Sequence, residues 1–273
     1  SRRASRRSCY DVVACHIAFP TGVVGMLCRR MGRARLVLHA HGSDVMALPY
    51  RSAAHFRAAR MTFRSADHIV ANSLFIRNAL VEHFDVSASR VSVVSPGVAP
   101  GFFAGPGRVR RTGILYVGRL VAEKGLGTLI EAIGEVSRSS AQELTVVGHG
   151  PARQSFESLA QDLGVVVRWR GSIPRDEVAA LMRGAAIVAV PSTMPEGLGL
   201  TAVEGLASGA IVVSTTSGAL GESVIEGRTG FTAQSGDVAS LSQALCRALA
   251  AAERPETRQV LWREGLLVAD QHQ

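Results

Sequence analysis

Ala186-Ile-Val-Ala-Val190 leads, five residues on, into Pro195-Glu-Gly-Leu-Gly-Leu-Thr-Ala-Val-Glu-Gly205. The unbroken apolar run reads as a strand buried on both faces, as parallel strands are. Leu200 to Ser208 reads as the helix that follows, with Gly209 as its stop signal. Glu196 therefore falls in a loop at the carboxyl end of a strand, and Glu204 on the first turns of the next helix. Gly197 and Gly199 allow the backbone amides between them to approach a ligand at a helix end that favours anions. A carboxylate accepts two hydroxyl donors at once, which suits a sugar or ribose beside a phosphate. A simpler use of the same residues is to place negative charge against the helix dipole.

The same alternation of β-branched runs and helical patterns extends over the chain and predicts α/β units on parallel sheets. Downstream, the predicted strands are Ile114–Val117, Leu144–Val147, Val165–Trp169, Ile187–Val190 and Ile211–Ser214. Helices are expected near Gly127–Ser137, Arg153–Leu163, Asp176–Arg183, Leu200–Ala207 and Val238–Ala252. This is a complete Rossmann-like domain by element count. Upstream, only four strands are predicted: Asp11–Cys15, Arg35–His39, His68–Ala71 and Val91–Val94. Asn72-Ser73 forms a helix N-cap pair, and no glycine-rich loop follows the first strand. The Gly/Pro-dense passage Pro96–Gly107 reads as a linker, giving domains 1–107 and 108–273.

Gly118-Arg-Leu-Val-Ala-Glu-Lys-Gly125 follows the first strand of the second domain. Arg119 leaves the strand and Lys124 arrives near the helix start, two cations placed for a diphosphate or simply exposed. The spacing is not that of a Walker loop. Gly148-His-Gly-Pro151 ends the next strand; Gly148 and Gly150 permit a tight turn close to a nucleotide, without the third glycine of a dinucleotide fingerprint. In His39-Ala-His-Gly-Ser-Asp-Val45, His41 at a strand's carboxyl end is either structural or a contact to substrate hydroxyls. His39, His41 and Asp44 lack a convincing further metal ligand.

With 47% hydrophobic residues and 28 glycines, the 273-residue chain can bury a full core. Its net charge of +8 is uneven. Residues 1–110 carry 16 Arg against 5 acidic residues, net +11; residues 111–273 carry 14 basic against 17 acidic, net −3. The basic half could face phosphorylated substrates or an anionic membrane. Nucleic acid is a poorer match and is not expected as a partner, since no helix-turn-helix or aromatic-interleaved basic surface is evident. Four cysteines without metal-ligand spacing or disulfide density fit a reducing cytoplasm. Cys9–Cys28 is a poor transmembrane span, so the expected location is cytoplasmic, or peripheral on the inner face of the membrane.

Together these motifs resemble the retaining glycosyltransferases of family 4, from about Asp11 to Ala252. The resemblance is carried by His41-Gly-Ser-Asp44, Ser95-Pro-Gly-Val98, Val117-Gly-Arg119 with Lys124-Gly125, Gly148-His-Gly-Pro151 and the Glu196/Glu204 pair. It implies the GT-B fold, two Rossmann-like domains facing a cleft, here with the N-terminal one incomplete. It also implies transfer of a sugar from a nucleotide-diphosphate-sugar donor to a glycan, lipid-linked or small-molecule acceptor, with retention and without a metal or other cofactor. Arg119 and Lys124, on the loop opened by Gly118, would hold the donor diphosphate. Glu204 would bind the ribose. Glu196, with the amides of Leu198, Gly199 and Leu200, would address the donor sugar, and His41 would reach one of its hydroxyls.

Two departures stand out. The opening strand and its glycine-rich loop are missing, and after Ala252 only Pro255 to Gln273 remain where a long C-terminal helix is usual. The chain is therefore expected to be truncated at its N-terminus. A non-catalytic nucleotide-sugar-binding subunit, and a GT-B epimerase or phosphorylase, are the alternative readings.

Overall fold

A computed structural model describes residues 10–31, 34–103, 111–137 and 142–271. By contact density it divides into two compact units, Ser1–Ser95 and Pro96–Gln273.

The first unit is a parallel sheet of β1 (Val12–His16), β2 (Arg35–Ala40), β3 (His68–Ala71) and β4 (Val91–Val93), in that lateral order. Its longer helices are α1 (Val23–Met31), α2 (Ala53–Ser65) and α3 (Leu74–Phe84). Alternate strand residues feed one core: Leu36, Leu38 and Ile69 pack with Phe63, Ile76, Leu80 and Phe84 of the helices. The helix starts are chemically specified. Ser52 accepts from the His55 amide at 3.2 Å and Ser73 from the Ile76 amide at 3.1 Å. Ser73 is thus the cap, while Asn72 donates from Nδ2 to the His41 carbonyl at 3.0 Å. The first strand runs to His16, one residue beyond the expected end, and parallel pairing sets His16 opposite His39.

The second unit holds β5 (Thr112–Val117), α4 (Leu126–Ser137), β6 (Glu143–Val147), α5 (Arg153–Asp162), β7 (Val166–Gly171), α6 (Arg175–Gly184), β8 (Ala185–Val190), α7 (Leu200–Ala207), β9 (Ile211–Thr215), β10 (Gly230–Ala233), α8 (Val238–Ala252) and α9 (Pro255–Asp270). All six strands are parallel, in the order β10-β9-β8-β5-β6-β7. Every residue of β8 is buried, as its apolar run requires, because separate hydrophobic clusters cover the two sides of the sheet. The chain reverses its direction of growth between β5 and β8, so their carboxyl ends flank a topological switch point.

Three expectations are corrected. The sixth strand, β10, is invisible to periodicity, since Gly230-Phe-Thr-Ala233 is too short to show an alternation. The C-terminal residues do form a helix: α9 buries Leu261, Gly265 and Ala269, four residues apart, and a Cβ on Gly265 would lie 3.1 Å from Leu206 of α7. The passage read as linker is partly core, because Val98 and Phe102 are buried against the second unit's sheet. The expected boundary at 107/108 lies outside the described residues.

Candidate functional site

The loop after β5 is pinned from both sides. Gly125 has φ +70°, and a Cβ there would stand 1.9 Å from the Pro191 carbonyl oxygen. The Thr193 amide donates to the Glu123 carbonyl at 3.0 Å. These contacts join the start of α4 to the end of β8 and deliver Lys124 to Glu196, Nζ to Oε1 at 2.5 Å. The same carboxylate oxygen accepts from the buried Ser192 hydroxyl. The backbone of Glu196 is clamped separately: its amide donates to the Ser217 carbonyl at 3.3 Å, and its carbonyl accepts from the Ala219 amide at 2.9 Å. Gly218 makes this approach possible, with φ +68° and a Cβ position 2.4 Å from the Glu196 oxygen.

Arg119 is exposed at the end of β5. Its carbonyl accepts from the Tyr116 hydroxyl at 3.0 Å. Burial, reinforced by the Glu196 charge and opposed by Arg119, pushes the Tyr116 phenol above its usual range. Tyr116 therefore feels both charges, and Arg119, Lys124 and Glu196 share one neighbourhood at the switch point.

Glu204 has a different partner. On α7 it is buried and pairs with Arg175 Nη2 at 2.6 Å. Arg175, at the start of α6, lies over the Phe102 ring with Cζ 5.3 Å from its centroid. Burial pushes the Glu204 carboxyl up, and Arg175 offsets this only in part. The structure thus pairs one acid with Lys124 and the other with Arg175, a residue with no motif to single it out. Arg175 lies 29 residues from Glu204, with no local pattern linking them.

Gly148 and Gly150 lie close against the chain's own backbone. Gly148 has φ +144°, and a Cβ would stand 1.8 Å from the Gly118 oxygen; one on Gly150 would stand 2.3 Å from the Leu120 oxygen. The Leu120 amide donates to the His149 carbonyl at 2.9 Å. Their close approach is to the Gly118–Leu120 backbone. Gly199 caps α7 in the left-handed region, with Leu198 buried beside it. The Ala202 amide turns back onto the Gly199 carbonyl, leaving those of Leu200 and Thr201 without an acceptor inside the helix.

In the first unit, His41 stands exposed just past β2. Its Nε2 lies 2.9 Å from Nδ1 of His16, and the rings stack at 5.1 Å with 13° between planes. His39 stacks on His16 at 4.5 Å. Burial, with the two neighbouring imidazoles adding to it, holds the His39 imidazole below its usual range. Asp44 is buried and accepts the amides of Ala18, His41 and Gly42 at 3.1, 2.9 and 3.1 Å. Among the described residues, no three His, Cys, Asp or Glu side chains converge to hold a metal ion.

A model of group 1 glycosyl transferases matches residues 111–251, and one of glycosyltransferase family 4 matches residues 1–102. The chain belongs to these glycosyltransferases.

A "D-inositol 3-phosphate glycosyltransferase" of Corynebacterium efficiens is 32% identical over 270 residues, 88% of this chain and 63% of that protein. A "GDP-mannose-dependent alpha-(1-6)-phosphatidylinositol monomannoside mannosyltransferase" of Mycolicibacterium smegmatis is 32% identical over 92% of this chain and 70% of its own length. This family member therefore spans about three-fifths of the length of the Corynebacterium relative. Its fold matches that of Anabaena Alr3699/HepE, solved with UDP and glucose (TM-score 0.82, 23% identity, 96% of this chain and 74% of that one). It also matches sucrose-phosphate synthase of Thermosynechococcus elongatus (TM-score 0.82, 21% identity, 99% and 71%). The two parallel-sheet α/β units are those of the GT-B class. No helix among the described residues is long and apolar enough to cross a membrane.

Proposed function

We propose that the second unit binds a nucleotide-diphosphate sugar at the β5/β8 switch point, and that the sugar passes to an acceptor hydroxyl with retention. The Lys124–Glu196 pair at 2.5 Å carries this reading, because it sets a cation and an acid together where such sheets bind ligands. Arg119 and Lys124 take the diphosphate and offset charge growing on the leaving group, the work a metal ion does elsewhere. Glu204 accepts the ribose hydroxyls, with Arg175 displaced toward solvent. Glu196 and the amides of Leu198, Gly199 and Leu200 address the sugar. In the retaining step the bond from the anomeric carbon to phosphate oxygen breaks, and the bond to the acceptor oxygen forms on the same face. The acceptor proton passes to the leaving phosphate.

The names of the relatives point to UDP- or GDP-sugars as first donors to test, and to glycan, lipid-linked or small polyol acceptors. A lipid-linked acceptor agrees with α2, whose outward face carries Arg57, Arg60 and Arg64 around Met61, 54% exposed. Such contact would be peripheral, at the cytoplasmic face.

Thermal stabilisation by UDP-, GDP- and ADP-sugars, with Glu204→Ala as control, tests the donor site. No shift with any of them in a folded sample would overturn the assignment. Product anomeric configuration by NMR, with and without EDTA, tests retention and metal independence. Donor binding without transfer or hydrolysis would favour a binding subunit instead.

A further inference from the structure

The outward side of α2 takes no part in the donor site. Arg57, Arg60 and Arg64 stand along it, at the three- and four-residue spacing that keeps side chains on one face. With Met61 and Ser65, and with Met26 from the middle of α1, they line a recess of about 470 Å³. That is the size of a small-ligand pocket. All of its lining lies in the first unit. It flanks the later turns of α2, which lead into the amino end of β3, whereas His16 and His41 stand at the carboxyl ends of β1 and β2.

The recess has an excess of positive charge. Its lining carries three guanidinium groups and no acid. Among the described residues, the acid that pairs with them is Asp85, which ends α3 in the left-handed region at φ +54°. Arg60 hydrogen-bonds to Asp85 and holds its carboxyl below the usual range, and Arg64 Nη1 approaches the same oxygen at 3.9 Å. One carboxylate thus orients two arginines, while Arg57 has no ionic partner among the described residues. The carbonyls that end α2 would repel an anion, but they are covered. Arg90 Nη1 donates to those of Arg64 and Ala66 at 3.0 Å each, and Arg29 donates to that of Ser65.

The apolar part of the lining is Met26, 7% exposed, and Met61. A phosphate ester answers both chemistries: its oxygens suit the guanidinium forks, and its carbon body suits the thioethers. The two phenylalanines of α2 turn inward onto Phe84, Phe56 with ring centroids 5.2 Å apart and Phe63 at 5.0 Å. The helix therefore gives its arginines no aromatic anchor for a bilayer, which favours a discrete anion held in the recess.

We propose that the α1/α2 recess is a second ligand site, which binds the phosphate of a soluble phosphate ester and does not depend on the donor-site reading. Arg57 supplies a free guanidinium. Arg60 and Arg64 supply the N–H groups that Asp85 leaves open, and Met26 and Met61 cover the ester's carbon body. The bilayer contact considered above is a different use of the same arginines, and the test separates the two.

The full chain is labelled with 13C-methyl methionine and observed by NMR. Met61 reports the recess; Met194, two residues before Glu196, reports the donor site, and Met61→Leu and Met194→Leu assign the two signals. Glucose 6-phosphate should shift the Met61 methyl saturably, while glucose, or sodium chloride at equal ionic strength, should not. Arg57→Gln should weaken that binding about fivefold, the scale of one exposed charge-assisted contact, with UDP affinity kept within about twofold. Asp85→Asn keeps a residue that tolerates the left-handed backbone, releases both arginines, and should tighten the binding by a similar factor. No saturable shift, a shift matched by sodium chloride, or an unchanged affinity in both variants would overturn the site. Cosedimentation with phosphatidylcholine vesicles containing phosphatidylglycerol, without a Met61 response to glucose 6-phosphate, would overturn it in favour of bilayer contact. If UDP and GDP fail to move Met194 or to bind at all, the donor reading falls, and the Met61 response still decides the recess.

Discussion

Lys124 and Glu196 illustrate how much of a site can sit in one contact. The ammonium neutralises an acid that is only 17% exposed, and a ligand diphosphate would compete for that ammonium. Lys124→Met should therefore weaken nucleoside diphosphate binding about 10- to 100-fold, the range of a charge-assisted contact, while far-ultraviolet circular dichroism stays unchanged. Calorimetry of UDP and GDP binding reads this directly. Glu204 behaves differently, because burial makes its ionised form costly in the folded chain. Its native pKa lies above the ordinary value of 4.5, so stability falls as pH rises from 4.5 through the raised value and stays low above it. Glu204→Gln should thus lose nucleotide binding yet be at least as stable as wild type to urea at pH 7.5, with the difference vanishing near pH 4. His39 has the opposite sense. Its native pKa is depressed, so the unfolded chain takes the proton first, and stability should drop as pH falls below 6.5. His39→Phe should flatten that acid limb in pH-dependent urea melts.

At the scale of elements, the strand-to-helix turns are built by backbone touching backbone. Gly148→Ala would force a Cβ against the Gly118 oxygen, 1.8 Å away, at φ +144°. Gly164 has φ +65° but nothing within 4 Å, so alanine there meets only the left-handed penalty. We expect Gly148→Ala to cost more than about 3 kcal/mol and Gly164→Ala about 1–2 kcal/mol, by chemical denaturation. The strands and helices around these turns were largely legible, since β8 and α7 announce themselves by an apolar run and a glycine stop. Less legible was the purpose of the turns. Gly148-His-Gly150 reads as a turn near a nucleotide in one dimension, and its packing against the Leu120 backbone depends on a loop 30 residues earlier. β10 escaped because four residues hold no period, and α9 because its burial depends on α7 being there to meet it.

For the whole molecule, the decisive feature is that, among the described residues, one hydrophobic cluster lies within residues 18–91 and two lie within 98–269. Residues 96–273 expressed alone should unfold in a single cooperative transition and bind UDP or GDP within about threefold of the full chain. Calorimetric melting and titration check this; a molten product would show that the second core needs the first unit. The sequence by itself determined the alternating α/β plan in two units and made Glu196, Lys124, Glu204 and His41 candidates, because side-chain periodicity and turn chemistry are local. Only the tertiary structure decided that β8 lies beside β5, which brings residues 72 apart into an ion pair, that Glu204 turns to Arg175, and that His16 meets His41. Lateral strand order and burial come from packing between distant segments, and no run of neighbouring residues encodes them.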